Sequence, residues 1–376
     1  MGASEYRNTD TACTAWACGS TSRQRGIGAM PQPNPPGGRA SLPKIHHYVP
    51  QFLLREFSFG KKHKLYAYDK RDDRVFITNV DRAAAESGFN QFVVEGVGLV
   101  SAEPAFGDLE ARTSPVLRRI VRDESIASLT RAERALISSF VVVQLFRTRN
   151  YREMLRQAHT AFSEWLGARD VDSADVEGFA EPTEDTLARL QAQSALLSHE
   201  MAPYVDQKTW VLCRNTTSQP YFTSDNPVAF QNTLDLGQRT HGLAVEGIEI
   251  YLPLSRRLTL SMVCRSYEEM VRDIERKTLL LGMIGALPAA LRENSRVAAE
   301  IAEAMRTGSA LGQSPENVIN KNSLQVRSAN RYVYAGTDQF DLVRDMLRET
   351  PALREGGPQA GLGPPGNEFT QPPAGP

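Results

Sequence analysis

Strand-like alternation appears on both sides of a long helical middle, and no proline- and glycine-rich linker divides the three parts. Lys64 to Asp69 alternates, Arg71-Asp72-Asp73 supplies a turn, and Arg74 to Thr78 reads as the returning strand. Phe89 to Val94 is expected to be a third strand of the same small antiparallel sheet. Phe106 to Arg122 carries apolar residues at helical spacing, with Pro115 expected to break or kink it. Thr130 and Glu133 form a capping box. The helix they open is expected to run through Leu136, Phe140 and Val143 as far as Trp165, as the spine of the fold. Val171 to Thr183 reads as an acidic loop and Thr186 to Tyr204 as another helix. The strand signal returns at Lys208 to Cys213, Tyr221 to Thr223, Ile248 to Leu252 and Leu258 to Val263. Helices are expected over Tyr267 to Met283, Ala289 to Arg306 and Pro315 to Leu324, and a final strand over Arg331 to Tyr334. This order predicts an α+β fold. Long central helices would pack on a mixed or antiparallel sheet drawn from N-terminal and C-terminal strands.

The patterned body is expected to be one domain over residues 44–338. Residues 1–43 are rich in Gly, Pro, Ser, Thr and Arg, and within residues 339–376 the stretch from Pro351 to Pro376 is half Gly and Pro. They read as a disordered leader and as a helix end running into a disordered tail. A net charge of −1 argues against coating nucleic acid by bulk electrostatics, while leaving room for a local basic groove. The longest apolar runs are too short to span a bilayer. The N-terminus lacks the apolar core of a secretory signal, and Tyr6 spoils a myristoylation match, so a cytoplasmic protein is expected. Cys13 and Cys18 match no common zinc spacing, and Cys213 and Cys264 read as small buried hydrophobes.

The densest cluster of chemically capable side chains is His46-His47-Tyr48-Val49-Pro50-Gln51, running on to Arg55. Pro50 suits the first turn of a helix and forces an extended approach to it. Gln51 and Arg55 share one helical face, so they and the histidines are candidates to converge as substrate-binding and catalytic groups. Either imidazole can serve as a general base or a metal ligand. The plainer alternative is a histidine that caps the helix or satisfies a buried backbone group. Neighbours on an extended arm face opposite sides, which separates His46 from His47.

Gln144, Arg147 and Thr148 fall on one face of the expected spine helix. Arg147 offers a fork for a phosphate or carboxylate, or a structural ion pair with Glu103 or Glu110. Asp225-Asn226-Pro227 follows an expected strand; it is either a rigid turn or a carboxylate and an amide placed at a strand end. No Walker loop, dinucleotide fingerprint, HExxH, G-x-S-x-G or paired CxxC is present.

Together, His46-His47-Tyr48-Val49-Pro50-Gln51 and Thr223-Ser224-Asp225-Asn226-Pro227-Val228 resemble the domain of unknown function 4238 family, a mostly bacterial group, over roughly residues 44 to 337. Gln144-Leu145-Phe146-Arg147-Thr148, Glu103, Glu110 and Pro253-Leu254-Ser255 resemble further signposts of it. Asn90 departs from the aromatic pair that the family shows after Phe89. The resemblance implies a fold and a set of positions, not a reaction.

Two functions follow as expectations. One is hydrolysis of phosphodiesters, nuclease-like and suited to defence or a toxin, with His46, His47, Arg147 and Asp225 as catalytic groups. Gln51, Arg55, Glu110, Gln144 and Asn226 would then hold substrate, with a divalent metal as an optional cofactor. The other is a non-catalytic ligand-binding or sensor module in which the same polar set is structural. The expected partner in either case is nucleic acid or a phosphate-bearing small molecule. The histidine arm, the Arg147 face and the Asp225 turn are expected to meet in one pocket, because each group is costly to bury alone.

Overall fold

A computed structural model describes residues 45–356 except 178 and 233–241. The leader, its cysteines and the Gly/Pro-rich tail lie outside the described residues. The chain opens with β1 (Ile45–His47) and the single-turn helix α1 (Gln51–Arg55), followed by the hairpin β2 (Lys64–Asp69) and β3 (Arg74–Asn79). Short strands β4 (Ala85–Ser87), β5 (Gln91–Val94) and β6 (Gly98–Ser101) lead into the helices. These are α2 (Glu103–Asp123), α3 (Arg131–Phe146), α4 (Arg149–Gly167), α5 (Glu184–Leu196) and α6 (Ser198–Asp206). Strands β7 (Thr209–Asn215), β8 (Thr223–Ser224), β9 (Ala229–Asn232), β10 (Ile248–Pro253) and β11 (Leu258–Val263) follow. The chain continues through α7 (Arg265–Met283), α8 (Arg292–Thr307), β12 (Leu311–Gln313), α9 (Pro315–Ser328), β13 (Tyr332–Ala335) and α10 (Asp341–Glu349).

The fold is α+β. One sheet has the order β3-β2-β13-β8, so N-terminal and C-terminal strands share it, all antiparallel. A second sheet, β12-β7-β11-β10-β9, is antiparallel apart from the parallel β12–β7 pair. Its even-numbered residues, such as Leu212, Ile250, Leu252, Leu260 and Met262, join the main core with Phe140, Val141 and Leu53 of the helical layer. Period-two patterning therefore fixes which face of the sheet is dry. A second core gathers Tyr68, Phe222, Val333, Phe340, Val343 and Leu347, which ties α10 to the first sheet.

Four expectations are corrected. The spine is two helices, because the chain turns extended at Thr148, which N-caps α4. The capping box at Thr130 and Glu133 is present as expected. Pro115 does not break α2, since the carbonyl it leaves unbonded belongs to exposed Ala111 on the wet side of the helix. Phe89 to Val94 does not extend the β2–β3 hairpin. Its β5 portion pairs with β6, and the neighbour that β2 gains is β13. The helix expected over Thr186 to Tyr204 divides at Leu197. Cys213 is buried and Cys264 half-buried.

Candidate functional site

The extended arm forms because β1 pairs with β4, with His46 opposite Glu86 and His47 opposite Ala85. Alternation then sends His46 inward. It is fully buried, and its Nδ1 accepts from the backbone N–H of Asn90 at 2.9 Å. Asn90 in turn donates from Nδ2 to Glu103, so the position that departs from the family pattern is a buried bridge. His47 points the other way. Its Nε2 is 3.1 Å from the Asp81 carbonyl and 3.3 Å from Gln51 Nε2, and Arg55 donates to Gln51 Oε1 at 2.8 Å. Partial burial lowers the His47 pKa, and the Arg147 charge adds to that. The Asp81 carbonyl, Glu103 and Glu110 act in the opposite sense.

Arg147 is buried at the C-cap of α3 and turns back onto the arm. It donates from Nη2 to the His47 carbonyl at 2.9 Å and from Nε to the Tyr48 carbonyl at 3.3 Å. Its Nη1 lies 2.8 Å from Glu110 Oε1, and the guanidinium sits 5.2 Å from the centre of the Phe106 ring. Gln144 donates to the same Tyr48 carbonyl at 2.8 Å. A fork suited to a phosphate is thus filled by the protein's own backbone and a glutamate.

Asp225 is buried at the end of β8, and its carboxylate accepts three consecutive backbone amides. Asn330 N and Arg331 N donate at 2.8 Å, and Tyr332 N at 2.9 Å. Burial raises its pKa, opposed by those amides and by the charge of Lys70. Asn226 donates to the Ser328 carbonyl at 3.0 Å. Among the described residues no group of three or more His, Cys, Asp or Glu side chains is placed to hold a metal ion.

The three segments do approach one place, the turn through Asp225 as expected but the arm and the helix through other side chains than those expected. A cleft of about 380 Å³ is lined by Tyr48 from the arm, Arg149 from the start of α4 and Asp225 from its turn. Arg331, Tyr332 and Tyr334 complete its floor, and Arg71, Arg82 and Glu86 stand around it. His46, His47, Arg147, Gln51 and Glu110 do not line it. Arg149 is held by Glu86, and Arg331 is held by Asp69 through Nε and Nη2 at 2.9 and 2.7 Å. The Tyr48 hydroxyl makes no hydrogen bond among the described residues. For the arm and the helix, sequence reasoning named the neighbours of the lining residues instead. Tyr48 sits on the His46 face of the arm, two residues along, so period two could have found it. Arg149 was legible only to a reader who broke the spine helix at Thr148. Nothing in the sequence singles out Glu86 or Arg331.

A cleft that presents several guanidinium groups and tyrosine rings can hold an anionic, partly aromatic molecule. Among the described residues no helix is long and apolar enough to cross a membrane. No curated protein and no solved structure matches the chain. The family described as protein of unknown function (DUF4238) matches residues 45–339, most of the chain and every motif discussed above. The chain therefore belongs to that family.

Proposed function

We propose that the protein is a non-catalytic binding module for a small phosphate-bearing molecule, which it holds in the Tyr48–Arg149–Asp225 cleft. The observation that carries this reading is the convergence of three motif segments on one cleft ringed by Arg71, Arg82, Arg149 and Arg331. Arg82 makes no ion pair among the described residues, so it is available to a ligand. A cleft of this volume falls at the small end of ligand pockets. The near-neutral net charge suits a small ligand better than a long nucleic acid. Binding is favoured over phosphodiester hydrolysis because His46, Arg147 and Asp225 are each engaged with backbone groups.

The test is calorimetric titration of the full chain with inorganic phosphate and with adenosine monophosphate, beside an assay of bis(4-nitrophenyl) phosphate hydrolysis. Saturable binding is expected, weakened about tenfold or more by Arg82→Met and by Arg149→Met, with no turnover. Absence of saturable binding would overturn the proposal. So would hydrolysis that disappears in Asp225→Asn or His47→Gln, which would restore the hydrolase reading.

A further inference from the structure

The second sheet has a wet face as well as a dry one. Its odd-numbered residues point away from the core, into a cavity of about 680 Å³ roofed by α7, α8 and α9. Gln313 of β12 and Lys321 of α9 line one end of it. Neither residue belongs to the motif cleft, and neither was singled out as a site from sequence.

Lys321 is nearly buried, at 9 % exposure, yet its only hydrogen bond among the described residues is to the neutral Gln313 Oε1 at 2.8 Å. The centre of the Tyr251 ring lies 5.5 Å from the ammonium, and no carboxylate among the described residues is within ion-pair distance of it. An ammonium carries three donors, so two are unmet in a place where water is scarce. Asn317 precedes Lys321 by one helical turn, lines the same cavity, and has a side-chain amide with no hydrogen bond among the described residues. Glu249 of the cavity wall is already engaged, by the Tyr251 hydroxyl and by a further interaction. The other acid of the lining, Glu246, is exposed, where water and salt screen its charge. Away from Gln313 the chamber turns aliphatic. Leu311 stands opposite Cys213, Val211 opposite Ser261 and Val263 opposite Thr209, so the three follow one another along the strands. Ile301 of α8 and Met270 of α7 line the roof. Few precisely placed polar groups in a partly apolar chamber of this size are the ordinary makeup of a small-molecule site.

We propose that this cavity binds a medium-chain aliphatic carboxylic acid as its carboxylate, with the head on Lys321 and Asn317 and the tail along Val211 and Val263. The carboxylate supplies acceptors for the donors that the ammonium leaves unmet, and the tail removes apolar wall from water. An alcohol or amine of the same length keeps the tail and lacks the head, and acetate does the reverse. Selection for both parts distinguishes this site from a general anion pocket or a greasy patch.

Calorimetric titration of the full chain with butanoate, hexanoate and octanoate tests it, with acetate, octanol and octylamine as controls. Octanoate is expected to bind saturably, and affinity to rise about tenfold at each two-carbon step. Each control should bind about tenfold or more weaker than octanoate. Lys321→Met should weaken octanoate about tenfold or more and still fold, because it removes a poorly compensated buried charge. Met270→Trp, at a half-exposed position on the cavity wall, should block the tail without touching the head. It decides the matter if Lys321→Met does not fold. No saturable binding of octanoate, a flat chain-length series, octanol or octylamine equal to octanoate, or wild-type affinity in Lys321→Met or Met270→Trp would each overturn the assignment. So would loss of octanoate binding in Arg149→Met, which would seat the carboxylate in the motif cleft instead.

Discussion

Arg147 and Arg149 stand two positions apart, one facing the protein's own backbone and the other facing the cleft. Arg147 bonds two carbonyls and lies beside Glu110, so Arg147→Ala removes a buried charge and orphans its partners. A loss of about 3–5 kcal/mol is expected in chemical denaturation. A loss under about 1 kcal/mol would place Arg147 in a dispensable role. His47 gives a pH prediction. Its folded pKa lies below the usual 6.5, so the unfolded chain takes up a proton first as pH falls. The stability it contributes is complete above that value and is lost as pH drops towards the folded pKa. Replacing His47 with Gln should flatten the fall in melting temperature just below neutrality, and an unchanged slope would refute the assignment. The sequence offered pairing of Arg147 with Glu103 or Glu110 as one of two readings, because a guanidinium among Phe140 and Val143 requires a partner, and the structure supplies Glu110. The sequence did not reveal that the arm's own carbonyls are the main partners, since backbone acceptors leave no mark in side-chain patterns.

Among the elements, α9 has a polar face that is buried. Asn322, Gln325 and Ser328 recur at helical spacing and read the backbone from Pro220 to Val228. Asn322 accepts from Phe222 N at 2.8 Å and donates to Pro220 O at 3.0 Å, and Gln325 donates to Pro227 O at 2.8 Å. Asp225 then fixes the start of β13 through its three amides. In Asp225→Asn a donor replaces part of an all-acceptor group. Hydrogen exchange at the amides of Asn330, Arg331 and Tyr332 should accelerate, with exchange in α3 following only through global unfolding. Unchanged protection at those amides would count against the stapling role. Existence and type of the long elements were legible because apolar periodicity is strong there. The break at Thr148 was not. Apolar spacing continues across it, and Thr148 lacks the glutamate that made Thr130 readable as a cap. The partner of β2 was equally hidden, since a two-faced strand pattern does not say which distant strand lies beside it.

For the molecule as a whole, the region matched by the family stops just short of α10, but the second core does not. Phe340, Val343 and Leu347 are buried against Tyr68 and Phe222, and full burial of such side chains is worth about 1.5–3 kcal/mol each. A chain ended after Asp338 should melt well below one ended after Gly356, and equal melting temperatures would show α10 to be an ornament. The position of β13 carries a further consequence. It lies inside its sheet between β2 and β8, and 262 residues separate Asp69 from the Arg331 that pairs with it. During synthesis the β2 edge therefore stays open until β13 emerges, roughly 13–50 s later at ordinary ribosome speeds. Closing the sheet waits on that distant strand, and throughout the interval the nascent chain offers other chains an unpaired edge.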